Sequence, residues 1–114
     1  MKTIDQIQLA QNQRQALAEI QKLLMGAYGI EQITLYGSVS RQESDNESDI
    51  DLLLVTHAPL ERSVRHQITD IVCEINLRND TNFSTLVVDR DTMENGLYSI
   101  LPLHDEIFRD GIAL

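Results

Sequence analysis

The sequence predicts one domain of the α/β (α+β) class, spanning residues 1–114. Three observations carry that prediction. Apolar residues recur at helical spacing over residues 4–28 and again over 60–77. Short strand-like runs lie at 33–36, 49–55 and 83–88. The 114 residues suit one domain and leave no room for two.

Residues 4–28 are the first predicted helix. Ala10, Leu17, Ile20, Leu24 and Ala27 fall near one stripe. Thr3 and Gln6 have capping-box spacing at its start. Gly26 and Gly29 mark its end, with the exit expected at Gly29. Residues 33–36 form a short strand, stopped by Gly37. Residues 39–48 are polar and read as a loop. The strand at 49–55 contains Leu52-Leu53-Leu54-Val55, an unbroken apolar run expected at the centre of a sheet, buried on both faces.

Pro59 opens the next boundary. Val64, Ile68, Ile71, Val72 and Ile75 make 60–77 an amphipathic helix, with Cys73 expected on its buried face. Arg78-Asn79-Asp80 closes it with a polar turn, and 83–88 is the third strand. Asp91 and Glu94 have the spacing of a capping box for a short helix over 92–99, which Pro102 breaks. A last helical turn near 103–109 ends at Asp110-Gly111.

Hydrophobic residues make up 42% of the chain, but there is no Trp and aromatics are only 4%. Leu, Ile and Val must therefore build the core. The formal net charge of −9 argues against an extended nucleic-acid surface, which needs a basic stripe. It leaves room for a nucleotide, because metal ions mask local carboxylates. It also favours a neutral or basic protein partner. One cysteine gives neither a disulfide framework nor a cysteine zinc site. No apolar run reaches membrane-spanning length and no signal-peptide core opens the chain, so the expected location is the cytoplasm.

The chemistry gathers in one stretch. Ten residues separate Gly37-Ser38 from Asp49-Ile50-Asp51. Gly37 has no Cβ, so a phosphate can approach its backbone closely. Ser38 adds a hydroxyl and an N–H. A helical turn beginning near residue 39 would offer free N–H groups to an anion, and Arg41 could reach the same phosphates. Asp49 and Asp51 alternate on a strand and so point the same way. Two adjacent carboxylates repel unless a cation lies between them, and oxygen ligands suit Mg²⁺. Gly-Ser alone is common, and Asp-x-Asp alone is often a solvated turn or a cap. Surface acids rarely lead into Leu-Leu-Leu-Val, and that context raises the pair above the bland reading.

Leu35-Tyr36-Gly37-Ser38-Val39-Ser40-Arg41, followed by Ser48-Asp49-Ile50-Asp51-Leu52, resembles the signature of the minimal nucleotidyltransferases of the DNA polymerase beta-like superfamily. The resemblance is close over residues 33–55. It implies a small mixed β-sheet flanked by helices. It implies transfer of a nucleoside monophosphate from ATP or another nucleoside triphosphate with Mg²⁺, at a site where two metals, or one metal with the nucleotide phosphates, would act. It assigns Gly37, Ser38 and Arg41 to the nucleotide, and Asp49 and Asp51 to metal and catalysis. Chains of this size resemble the antitoxins of HEPN/MNT toxin–antitoxin pairs, which implies a helical HEPN-type protein as partner and acceptor. Gln42 replaces the family's usual glycine after Arg41. The family often has a third carboxylate in the third strand, and Thr85 is expected at that position. A threonine is no general base at neutral pH. Asp89 or Asp91 could compensate, although helix capping is their stronger reading.

Two functions of different class follow. One is a Mg-dependent nucleotidyltransferase acting on a protein. The other is a catalytically weakened module of that fold, which regulates a HEPN-type partner by contact. A nucleotide sensor has less support. Among other residues, His57 follows the second strand and could lie near the site. His66 is expected on the exposed helix face, His104 in a polar turn, and Tyr36 in packing.

Overall fold

A computed structural model describes residues 9–36, 50–95 and 112–114. The elements in chain order are α1 (Gln11–Leu24), β1 (Ile30–Tyr36), β2 (Ile50–Thr56), α2 (Arg62–Asn79), β3 (Phe83–Asp89), α3 (Arg90–Asn95) and β4 (Ile112–Ala113). The strands form one mixed sheet in the order β3-β2-β1-β4. β1 runs antiparallel to both β2 and β4, and β2 runs parallel to β3. A parallel pair needs a long crossover, and α2 supplies it.

The unbroken apolar run of β2 does what its sequence predicts. Leu52 and Leu54 join Ile33 and Leu35 of β1 and Phe83 of β3 in the main core. Helix α1 covers this face with Ala16, Leu17, Ile20 and Leu24, and α2 with Ile68, Val72 and Ile75. Leu53 and Val55 point the other way. They pack with Val88 and with the half-buried Tyr36, Leu86 and Met93, the last from α3. Both faces of β2 are thus closed by aliphatic side chains. Burying each Leu completely is worth roughly 1.5–3 kcal/mol relative to exposure.

Several boundaries differ from the sequence reading. Helix α1 ends at Leu24, earlier than the expected exit at Gly29. Met25 is already extended, and Gly26 takes φ +82° in a turn closed by a bond from its N–H to the carbonyl of Ile30. Only glycine adopts that φ without strain. Strand β1 starts at Ile30 instead of 33, with a bulge against the end of β2. Cys73 is exposed, because the core side of α2 is carried by Ile68, Val72 and Ile75. The short helix starts at Arg90 rather than 92, so Asp91 lies inside it. The Thr3–Gln6 cap, the loop at 39–48 and the turn at 103–109 lie outside the described residues. Among the described residues, no helix is long and apolar enough to cross a membrane.

The exit of α2 is tied to β3 by one side chain. Asn76 Oδ1 accepts from the Phe83 N–H at 2.9 Å and the Thr81 hydroxyl at 3.0 Å. Its Nδ2 donates to the Phe83 carbonyl at 3.0 Å. Asp80 ends the helix in the left-handed conformation (φ +56°) and turns the chain into the strand. Replacing Asn76→Ala should cost about 1–3 kcal/mol, because Phe83 loses both partners on that side. Urea unfolding measures this, and Asn76→Asp, which keeps only the acceptor, should fall between the two.

Candidate functional site

Register places the acidic residue of β2. Tyr36 pairs with Asp51, and Asp51 pairs with Ser84. The three stand in a row across β1, β2 and β3. Side chains of in-register neighbours share a face. By the period of two, Asp51 lies on the face of Leu53 and Val55, and Ser84 on that of Leu86 and Val88. This is the α3 side of the sheet, away from α1 and α2. Asp51 is half-buried at the mouth of the apolar run, and Ser84 beside it is exposed.

The other predicted site residues adjoin this row in the chain. Strand β1 ends at Tyr36, opposite Asp51, and Gly37 is the next residue. Asp49 immediately precedes Ile50, the first residue of β2. Gly37, Ser38, Arg41 and Asp49 themselves lie outside the described residues. The donors that the row supplies are a carboxylate and a hydroxyl, hard oxygens of the kind Mg²⁺ takes. Among the described residues no group of three or more His, Cys, Asp or Glu is arranged around a metal position.

Thr85 requires a correction. It pairs with Leu52, so it belongs to the opposite face and cannot stand beside Asp51. It lines a groove with Arg62, Arg65, His66 and Thr69 of α2 instead. The β3 residue beside Asp51 is Ser84. The missed signal was parity: Phe83 is buried in the main core, which sends its neighbour Ser84 to the other side. The chemical consequence stays the same, since serine is no better a base than threonine.

The proposed substitutes for a third acid are occupied or distant. Asp89 caps α3: its Oδ2 accepts from the Thr92 N–H at 3.0 Å, and its Oδ1 from the Thr92 hydroxyl at 2.6 Å. These bonds favour the carboxylate and lower its pKa below the ordinary value, the hydroxyl contributing most. Asp89 also stands five residues beyond Ser84, about 17 Å along the strand. His57 lies six residues beyond Asp51, about 20 Å at strand rise. It is 83% exposed and meets Glu31 at 3.2 Å, while Arg90 meets the same carboxylate at 2.5 Å. That ion cluster fastens the far end of the sheet and has no part in this site.

The family described as polymerase beta, nucleotidyltransferase matches residues 18–112. This chain belongs to the polymerase beta nucleotidyltransferase family. The match runs from within α1 to the first residue of β4 and so takes in β1, β2 and β3 entirely. Among solved structures, a toxin–antitoxin complex with AMP-PNP is similar, at 15% identity and a TM-score of 0.58 over 91% of this chain and 72% of that one. A complex of a tri-AMPylated Shewanella oneidensis HEPN toxin with its MNT antitoxin is similar at 20% identity and a TM-score of 0.53, over 89% and 70%. A variant of the toxin–antitoxin MntA–HpeT is similar at 19% identity and a TM-score of 0.54, over 94% and 72%. At these identities the likeness is one of fold, and the fold is the nucleotidyltransferase fold expected from the signature. No curated protein matches the sequence.

Ser84→Asp should place a carboxylate beside Asp51. Thermal melts should then show a lower Tm without divalent cations and a larger gain with MgCl₂ than the parent protein. Thr85→Asp, on the other face, should show no such gain. Equal responses would mean that the register is wrong. A second expectation concerns acid. The lowered pKa of Asp89 gives stability that is present above the unfolded value of 3.8 and lost as pH falls through the lower folded value. The stability gap between the parent and Asp89→Asn, followed by urea unfolding from neutral pH downward, should therefore close below about pH 4.

Proposed function

We propose that the chain is a Mg-dependent minimal nucleotidyltransferase that moves AMP from ATP to a protein acceptor, in the manner of an antitoxin toward a HEPN-type partner. One observation carries the reading. Asp51 lies in register with Tyr36, at the strand end from which Gly37-Ser38 departs. The carboxylate therefore stands beside the residue that Gly37-Ser38 of the family signature follows in the chain.

The roles divide as follows. Gly37 and Ser38 cradle the triphosphate through backbone N–H groups and the hydroxyl. Arg41 steadies it with a planar fork. Asp49 and Asp51 hold Mg²⁺, which when bound neutralises charge on the phosphates. The acceptor hydroxyl oxygen bonds to the α-phosphorus, the bond to the bridging oxygen breaks, pyrophosphate leaves, and the hydroxyl proton passes to solvent. Positioning and charge supply most of the rate in such transfers. The cytoplasm, with its ATP and Mg²⁺, is the setting. An AMP-PNP complex and an AMPylated HEPN toxin among proteins of similar fold support the choice of nucleotide and partner.

Ser84 favours a second reading. With a hydroxyl beside Asp51, the row offers no carboxylate beyond the one assigned to Mg²⁺ to accept the acceptor's proton at neutral pH. The chain could then regulate its partner by contact alone.

Incubation of the chain and a HEPN-type partner with α-labelled ATP and Mg²⁺ separates the two. Label should appear on the partner and fall about 10²-fold or more in Asp49→Ala and Asp51→Ala. If no label ever appears while partner inhibition survives both substitutions, the enzyme reading is lost and the contact reading stands.

A further inference from the structure

Among the described residues, β3 is an edge strand with an open outer side. Its pairing with β2 is regular from Ile50↔Phe83 to Thr56↔Asp89. In a strand, the N–H and C=O of alternate residues face the same side. Ile50 donates to the carbonyl of Asn82, so Asn82 faces β2 and Phe83 faces outward. Phe83's outward pair is filled by the Asn76 amide, which bonds to both groups as an added strand would. Thr85 and Val87 have the same outward parity, and no described group bonds to them there. Residues 83–88 contain no proline, lysine or bulge, the devices by which many edge strands resist pairing.

The outer side of β3 is also a groove. Thr85 and Val87 line a hollow of about 330 Å³ together with Arg62, Arg65 and His66. Arg62 and Arg65 occupy the first two turns of α2, which has no acidic residue in its first turn. Cations there oppose the helix dipole, so their positive field is not consumed by the helix itself. Neither meets a described carboxylate within ion-pair distance, whereas Arg78 and Arg90 both do. In a chain of net charge −9, a basic groove beside a bare strand edge is selective in sign.

We infer that the β3 edge is a docking strand for an extended acidic segment of a partner protein. The segment pairs with the outward backbone groups of Thr85 and Val87 and sets its carboxylates against Arg62 and Arg65. Main-chain bonds supply affinity and the arginines supply selection, as in other strand additions. The inference stands apart from nucleotidyl transfer, because Asp51 is not among the described residues that line the groove and lies on the opposite face of the sheet from Thr85.

The probe is the peptide acetyl-Val-Glu-Val-Glu-Val-Thr-amide, titrated into the full chain and followed by amide NMR and hydrogen exchange. Thr85 and Val87 amides should shift and exchange at least tenfold more slowly on binding. Replacing both Glu by Lys in the peptide, or Arg62→Ala with Arg65→Ala in the chain, should weaken binding at least tenfold. Val87→Pro removes an outward N–H while sparing the bonds to β2, and it should abolish binding with the circular dichroism unchanged. A peptide N-methylated at both Glu provides the same test on the unaltered chain and should not bind. The inference is overturned if no peptide binds, if the Lys or N-methylated peptide binds equally, or if an oligouridylate displaces the acidic peptide at equal concentration. A dimer in sedimentation that Arg62→Ala with Arg65→Ala dissolves would assign the edge to a second copy and overturn it as well.

Discussion

The rest of the structure depends on β2 being buried on both faces. Leu52 and Leu54 complete the core under α1 and α2, and Leu53 and Val55 complete the smaller one under α3. A strand closed in this way cannot slip by one residue, because each slip exchanges the two apolar sets and drives Asp51 into the helix-covered core. The hydrophobic pattern therefore fixes register, and register fixes where the carboxylate emerges. The position of Asp51 at the end of the sheet is a by-product of core packing several residues away.

Asn76 performs the corresponding task for β3. It binds both outward backbone groups of Phe83 and the Thr81 hydroxyl, so the end of α2 and the start of β3 hold one relative position. The parallel alignment of β3 on β2 starts from that point. It brings Ser84, and not Thr85, beside Asp51. The same anchoring leaves the following outward groups of β3 facing the first turns of α2. One amide side chain thus bears both on the Asp51 end of the sheet and on its open edge.

The charges are sorted by region. Glu31 gathers His57 and Arg90 at the far end of the sheet, and Arg78 joins Glu19 to Glu74 where α1 meets α2. Exposed pairs of this kind contribute little stability each, and less in salt. They do neutralise cations locally. Among the described residues, Arg62 and Arg65 pair with no carboxylate, which leaves the groove on β3 positive in an otherwise acidic protein.

The sequence by itself determined the class of fold, the central strand and the family. An unbroken apolar run in β2, helical stripes on either side of it and the Gly37-Ser38 signature before Asp51 are local patterns, legible without coordinates. The core positions of α2 followed from spacing, although Cys73, judged by the same spacing, is exposed. What only the tertiary structure decided is everything that depends on the partner of a residue. Thr85 and Ser84 are equally plausible third-acid positions until register assigns one of them to each face. His57 follows a site-bearing strand in sequence, yet strand rise carries it about 20 Å away. Asp89 is one more carboxylate on paper and a helix cap in space. The two-residue β4 was invisible, because a strand so short has no period and exists only by pairing with β1. Local pattern determines which elements form. Pairing between distant residues determines which side chains meet, and chemistry depends on the second.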